Sequence, residues 1–379
     1  MDGPSLPYCK NLYDYLTRWE DGSSFKLEFS PDQPGFEDQL FFLNKDTQNQ
    51  TIELVCFKST YLKVFTESHK YFNQYLGDTN EQSIDWNVYY MTIGYLLTTP
   101  ENKMLLNLHE DCVLKLLSHS TDKKDFLTRE LLMIQSLLTS TRNSLNKSSS
   151  LWYWYRKLYI LIKQHTSILE ETLSKLWIST FKNSAELHKC NYYCWNTARW
   201  FFDIVPSLKV KTDIFEMTKD FCFKHVSDCS SWDTLGYITS QHLENNMFNF
   251  TNYEFLLRRY KLDGNVKVYT DTINLSTPIA LDLGVESIVR DLILYVDSLS
   301  VKDWTVFLCL SRIMNSSKIV LADHIRRYWL DQISKFEDQQ GIISFKNMNP
   351  IIPLSKRDDL TISNLFLHYG WKKRFLETI

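Results

Sequence analysis

From about residue 82 onward, apolar residues recur three and four positions apart with little to interrupt them, and this periodicity most constrains the fold. Trp86, Tyr90, Ile93 and Leu97 open the series; Leu105, Leu108, Cys112 and Leu116 continue it, followed by Leu127, Leu131, Ile134 and Leu138. Each set forms one stripe on a helix, and such a stripe must be buried against a neighbour. Glycine (10) and proline (9) are scarce in a chain of 379 residues, which disfavours hairpin-rich sandwiches and glycine-rich phosphate loops. Further helices are expected near 151–163, 167–181, 192–205, 212–224, 231–245, 251–261, 284–298, 302–314, 318–335 and 360–377. Thr99 followed by Pro100 reads as an N-cap and first helical residue. The polar tract 139–150 reads as a loop between helices. The expected fold is therefore all-α, an α-α superhelix or solenoid of antiparallel helical hairpins.

The N-terminal part differs. Residues 25–29 alternate apolar and polar, and 52–57 form a short apolar run; Pro31, Pro34, Gly35 and a polar tract at 44–50 lie between them. Short strands or extended arms are expected there. The expected organisation is a strand- and loop-containing segment at 1–75, a helical repeat solenoid at 76–335 and a C-terminal helical cap at 336–379.

Lys and Arg total 42 against 45 Asp and Glu, a formal charge of -3, so no global basic field favours nucleic acid or anionic lipid. The first twenty residues carry neither a basic nor an apolar leader pattern, and no uncharged apolar run approaches the roughly 18 residues of a membrane span. A soluble, cytoplasmic chain is expected, with its eight cysteines reduced and mostly buried.

Three tryptophans occupy one position of a recurring unit. They lie in Lys147-Ser-Ser-Ser-Leu-Trp152-Tyr-Trp-Tyr-Arg156, Asn191-Tyr192-Tyr193-Cys-Trp195-Asn-Thr-Ala-Arg199-Trp200 and Cys229-Ser-Ser-Trp232-Asp-Thr-Leu-Gly236. The spacing suits paired-helix repeats, with a weaker copy at Trp304 and an eroded one over 100–109, where Leu106 stands for tryptophan and His109 for arginine. Trp and Arg four positions apart share a helix face, so the guanidinium can lie across the indole or meet an acid on the next helix. Plain core aromatics with snorkelling arginines are the competing reading. Tetratricopeptide repeats fit less well, because the spacing exceeds their 34 residues.

These units resemble the repeat of protein prenyltransferase α subunits, with Asn191, Tyr192, Trp195 and Trp200 the closest match, and within that family the chain is most similar to the type III geranylgeranyltransferase α subunit. The family's Trp-x-x-Arg spacing becomes Trp-x-x-x-Arg here, and Tyr193 replaces its histidine. The resemblance implies a crescent of helical hairpins around a prenyltransferase β subunit of the Rab geranylgeranyltransferase type. Zinc would lie in that β partner, this chain would hold no cofactor, and geranylgeranyl diphosphate would be the co-substrate. The acceptor implied is the C-terminal cysteine of a protein, a farnesylated SNARE. Lys147 would reach the diphosphate and Tyr193 would replace the histidine; Trp152, Arg156, Asn191, Tyr192, Trp195, Arg199, Trp200 and Trp232 would be repeat residues. A solvated lysine in a serine-rich loop is the competing reading of Lys147, and a non-catalytic α-solenoid interaction scaffold is the competing function.

His188, Cys190 and Cys194, and Cys222, His225 and Cys229, are metal-competent but lack the spacing of a known zinc motif. Glu110 and Asp111 are neighbours that a helix points apart, and they read as a solvated face, as do Arg326-Arg327 and Lys372-Lys373-Arg374. No P-loop, nucleophile elbow, zincin or Cys-x-x-Cys motif is present.

Overall fold

The computed structural model describes residues 6–18, 24–36, 39–46, 51–77, 84–168, 170–240, 243–260, 284–317, 322–347 and 356–378. Contacts group the chain into two compact units, residues 1–201 with 252–267 and residues 202–251 with 268–379. The fold is all-α with a small N-terminal sheet, as the periodicity predicts.

The first unit opens with α1 (Pro7–Leu16), followed by β1 (Ser24–Ser30), β2 (Phe41–Asp46) and β3 (Thr51–Phe57). The strand order is β1-β3-β2, with β1 parallel and β2 antiparallel to β3, so that Leu27 and Leu43 both face Leu54. Phe25 and Leu27, with Ile52, Leu54 and Cys56, are buried on one face. On the polar side, Lys26 Nζ meets Glu28 at 2.6 Å and Glu53 at 2.8 Å. The outer edge of β1 is closed by the segment after α5 (Lys123–Leu138): Leu27 donates to Thr139 O at 3.2 Å and Thr141 donates to Leu27 O at 2.9 Å. This covers a row of backbone groups that would otherwise be open to pairing.

Strands alone do not describe this segment, because α1 and α2 (Lys58–Gly77) are helices where extended arms were expected. Pro7 takes the first helical position of α1, and Cys9, Leu12, Tyr13 and Leu16 form its buried stripe. β3 passes into α2 at Lys58 with no intervening turn.

The remaining helices of this unit are α3 (Trp86–Thr98), α4 (Lys103–His119), α5, the short α6 (Asn143–Asn146), α7 (Ser149–His165) and α8 (Glu170–Leu187), with most of α9 (Tyr192–Ile204) and the end of α12 (Leu243–Arg259). Successive helices pack on one another, α2 on α3, α3 on α4, α4 on α5 and α5 on α7. Gly94 of α3 permits the closest approach, since a Cβ there would lie 2.7 Å from Cys9 Sγ and 3.0 Å from Ser68 Cβ. The aromatic core stacks Tyr155 on Trp177 (3.8 Å between ring centres) and Trp177 on Phe201 (4.9 Å).

The second unit holds α10 (Leu208–Lys224), α11 (Cys229–Ser240), the start of α12, α13 (Val285–Ser298), α14 (Trp304–Ser317), α15 (Ala322–Asn347) and α16 (Lys356–Leu376). α10 packs on α11, α11 on α14, α13 on α14, and α16 on both α14 and α15. Gly236 lets α11 lie against α14, with Arg312 Cδ 3.3 Å from where a Cβ would stand.

Two local expectations are corrected. Thr99 ends α3 instead of starting the next helix; α4 is capped by Asn102, whose side chain accepts from Met104 and Leu105. The amide plane of Asn102 reaches the first turn, and Pro100 and Glu101 stay in the connecting turn. The expected helix at 231–245 is α11 plus the beginning of α12. Expected boundaries at 261 and 318 lie outside the described residues. Cys9, Cys56, Cys112, Cys194, Cys222 and Cys309 are buried, in line with the sequence reading.

Candidate functional site

The recurring tryptophan unit is a way of starting a helix. Trp152, Trp195 and Trp232 are each the fourth residue of their helices, α7, α9 and α11. Four positions before each stands a capping residue: Ser148 accepts from Leu151 N (3.1 Å), Asn191 from Cys194 N (3.2 Å) and Asp228 from Ser231 N (3.0 Å). The eroded copy obeys the same rule, with Asn102 as cap and Leu106 as the buried fourth residue of α4. The Trp304 copy is out of register, because Trp304 begins α14 and Phe307 takes the buried fourth position.

Within the first unit, the starts of α4, α7 and α9 border a cleft of about 470 Å³ lined by Asn102, Asn143, Lys147, Ser149 and Tyr193 together with the turn at 99–101. Glu101 braces it from that turn, accepting from the hydroxyls of Ser148 (2.5 Å), Ser149 (2.9 Å) and Ser150 (3.1 Å). Burial alone would raise the Glu101 carboxyl, but the three hydroxyls and the Ser150 amide outweigh it and hold the group below the ordinary carboxylate range. Lys147 follows α6 and donates to the Lys189 carbonyl at 2.8 Å. Tyr192 and Tyr193 are 54% and 40% exposed, with their rings edge to face at 5.5 Å, and Arg199 lies 6.0 Å from the Tyr192 ring. Lys147 and Tyr193, the two expected chemical residues, thus line one cleft, although the lysine's described partner is a backbone carbonyl.

Beneath the cleft, Asn146 joins the repeat units. Its carbonyl accepts from Trp152 Nε1 (2.7 Å) and Asn191 Nδ2 (3.1 Å), while its own amide donates to Leu138 O (2.8 Å). Trp152, Trp195, Trp200 and Asn191 are fully buried or nearly so. Arg156 lies across Trp200 at 5.6 Å and donates to Thr197 Oγ1 at 3.2 Å; burial pushes its guanidinium down to about 10. In the second unit, Trp232 packs against Tyr295 (5.8 Å) and Phe223 (6.0 Å). These residues are packing and capping groups.

The sequence reading missed the buried charge of the first unit. Glu110 is 1% exposed, not solvated, and accepts from Lys157 Nζ (2.5 Å), Arg259 Nε (2.9 Å) and Tyr260 OH (2.7 Å). Burial works to raise the Glu110 carboxyl, and these partners override it and lower it. Next to it in sequence, His109 bridges Thr92 Oγ1 (2.8 Å) and Glu130 (2.9 Å), and Glu130 also accepts from Tyr89 OH (2.5 Å) and Trp154 Nε1 (2.9 Å). In the second unit Lys372, expected at the surface, is buried beneath Trp329 and Tyr369 and pairs with Asp297 at 2.6 Å. Among the described residues, no group of three or more His, Cys, Asp or Glu side chains could hold a metal ion. No helix among them is long and apolar enough to cross a membrane.

Comparison with known proteins corrects the family reading. Residues 2–139, 151–260 and 285–379 match the ECM9 N-terminal, middle and C-terminal domains respectively, and no prenyltransferase α-subunit family matches. Protein ECM9 of Saccharomyces cerevisiae is 36% identical over 377 residues, covering 98% of this chain and 96% of the yeast protein. The residues behind the resemblance to prenyltransferase α subunits serve in this chain as a helix cap and a wide side chain buried one turn in, features that any stacked hairpin can use. Matched from end to end by that relative and by all three domain families, the chain belongs to the ECM9 family.

Proposed function

We propose that the chain is a non-catalytic helical scaffold that holds another protein at the cleft between the starts of α4, α7 and α9. The observation that carries this reading is the exposed Tyr192–Tyr193 pair beside a cleft whose helix-start amides are met by their own caps. Tyrosine supplies large contact area with few rotatable bonds, and arginine beside it adds a planar cation; both are enriched among interface anchors. Lys147, held toward the Lys189 carbonyl, acts in this reading as a rim charge that orients the partner. Zinc in a β partner, geranylgeranyl diphosphate and a farnesylated SNARE entered through the overturned resemblance and have no part in the proposal. A cytosolic setting belongs to the same proposal and follows from reading the cysteines as reduced.

Photo-crosslinking tests the proposal. Benzoylphenylalanine is introduced in place of Tyr193 in the full chain within cells, with exposed Lys124 of α5 as the control position. The expected result is a discrete heteromeric adduct from position 193, absent from position 124 and reduced by Lys147→Glu. Absence of any position-specific adduct overturns the reading, as does a chemical activity of the purified chain that Lys147→Ala abolishes.

A further inference from the structure

A second concave surface lies elsewhere in the first unit, a groove of about 520 Å³ between the start of α1 and the outer side of α2. Its apolar lining includes Leu6, Leu62 and Tyr71, and Leu62 is 49% exposed. Lys63 and Lys70 stand along it, both exposed. The one carboxylate in the lining, Glu67, is turned to α1, where it accepts from the amides of Tyr8 (3.2 Å) and Cys9 (2.7 Å). Its charge is thereby directed at the positive end of α1, and the two lysines set the field of the groove. Lys63 Nζ lies 5.6 Å over the Tyr8 ring, which positions one of these cations at the groove wall.

We infer that this groove docks an acidic, amphipathic segment of a partner protein. The lining supplies two of that segment's features: apolar side chains to fill the floor, and carboxylates to meet Lys63 and Lys70. Seven residues on one helix separate the two lysines by about 10 Å along its axis. The matching acids therefore stand about three residues apart on an extended segment or about seven apart on a helix. Concavity favours a narrow peptide over a flat lipid surface, which could not reach the floor between α1 and α2. This site is independent of the tyrosine cleft, and its test is separable from that one.

The test pans a displayed library of random peptides of about twelve residues on the full chain, then titrates the enriched peptides by fluorescence anisotropy. The expected outcome is a consensus of apolar residues flanked by two acids at the stated spacing, binding roughly tenfold or more weakly to Lys63→Glu/Lys70→Glu. Circular dichroism should report an unchanged melt, because both lysines are exposed. Lys63→Gln/Lys70→Gln should give an intermediate loss, and Lys124→Glu on α5 none. A consensus without acids, or binding indifferent to the double variant, overturns the inference. Co-sedimentation with phosphatidylserine vesicles that depends on Lys63 and Lys70 assigns the groove to membrane and overturns it as well. Self-association abolished by the same double variant assigns it to a second copy, with the same consequence.

Discussion

Removing the Glu110 carboxylate should be one of the most damaging single changes in the first unit. Glu110→Ala leaves Lys157 Nζ, whose side chain is 5% exposed, without the carboxylate 2.5 Å away. It also strips Tyr260 OH of its described acceptor. Arg259 is 45% exposed and can turn to water, so its share is small. Breaking one side of a buried pair costs about 3–5 kcal/mol, because the remaining charge stays desolvated. For a folding unit of this size that corresponds to roughly 6–20 °C in melting temperature. The companion variant Glu110→Leu/Lys157→Met removes both charges and keeps the volume, and should recover most of the loss. Urea denaturation read by tryptophan fluorescence, with hydrogen exchange of α4 and α7 to localise the effect, measures both. A Glu110→Ala chain within about 1 kcal/mol of the parent, or a double variant as unstable as the single, would refute a costly unpaired charge at Lys157.

Other expectations concern titration, capping and packing. Burial holds His188 and His368 below the ordinary histidine value, so the unfolded chain takes up these protons first. Stability should therefore fall as pH drops through about 6.5. A second loss should follow below about 4.3, where Glu101, Glu110 and Glu130, all held low in the fold, begin to bind protons in the unfolded chain. A urea midpoint that stays constant from pH 7.5 to 5.5 would contradict the histidine part. Asn191→Ala loses the oxygen that caps α9 and the donor to Asn146, and should cost about 1–3 kcal/mol; Asn191→Asp keeps the capping oxygen but turns a buried carboxylate on the Asn146 carbonyl and should cost more, as measured by thermal melts. Gly94→Ala gains up to about 1 kcal/mol of helix propensity, yet its Cβ would meet Cys9 Sγ at 2.7 Å, so a net loss of about 1–2 kcal/mol is expected by calorimetry.

Long periodic helices such as α3, α4, α5 and α7 were legible because apolar residues recur through several turns, but the buried face was not: α3 and α7 are buried on nearly all sides, and Trp86, read as part of the α3 stripe, is exposed. α2 was not, because β3 runs into it at Lys58 without glycine, proline or a local capping residue to mark the change; the Ser59 amide of its first turn is met instead by Asp32 (2.9 Å), from far upstream in the chain. The tryptophan unit was visible as a pattern, while its meaning depended on caps four residues upstream and on the Asn146 carbonyl, whose partners follow at different distances along the chain. Glu110 and Lys157 are 47 residues apart in sequence, and no local rule distinguishes a carboxylate that will be buried with a lysine from one that will face water. Glu101 and its serines are hidden for the same reason, being joined by a fold that separates them by 47 to 49 positions. The cleft was therefore readable only as two residue types, Lys147 and Tyr193, and not as a place.

The closure of β1 by residues after α5 has a consequence for synthesis. All three strands have left the ribosome once Phe57 has, yet the segment that seals the edge, at Thr139 and Thr141, comes later. At about 5–20 residues per second, the roughly 80 intervening residues take on the order of 4–16 s, during which the nascent sheet keeps one unsealed side. Fragments that end between residues 58 and 138 should therefore be sticky even though they contain all three of the described strands, and a holding chaperone would have the most to do in that interval.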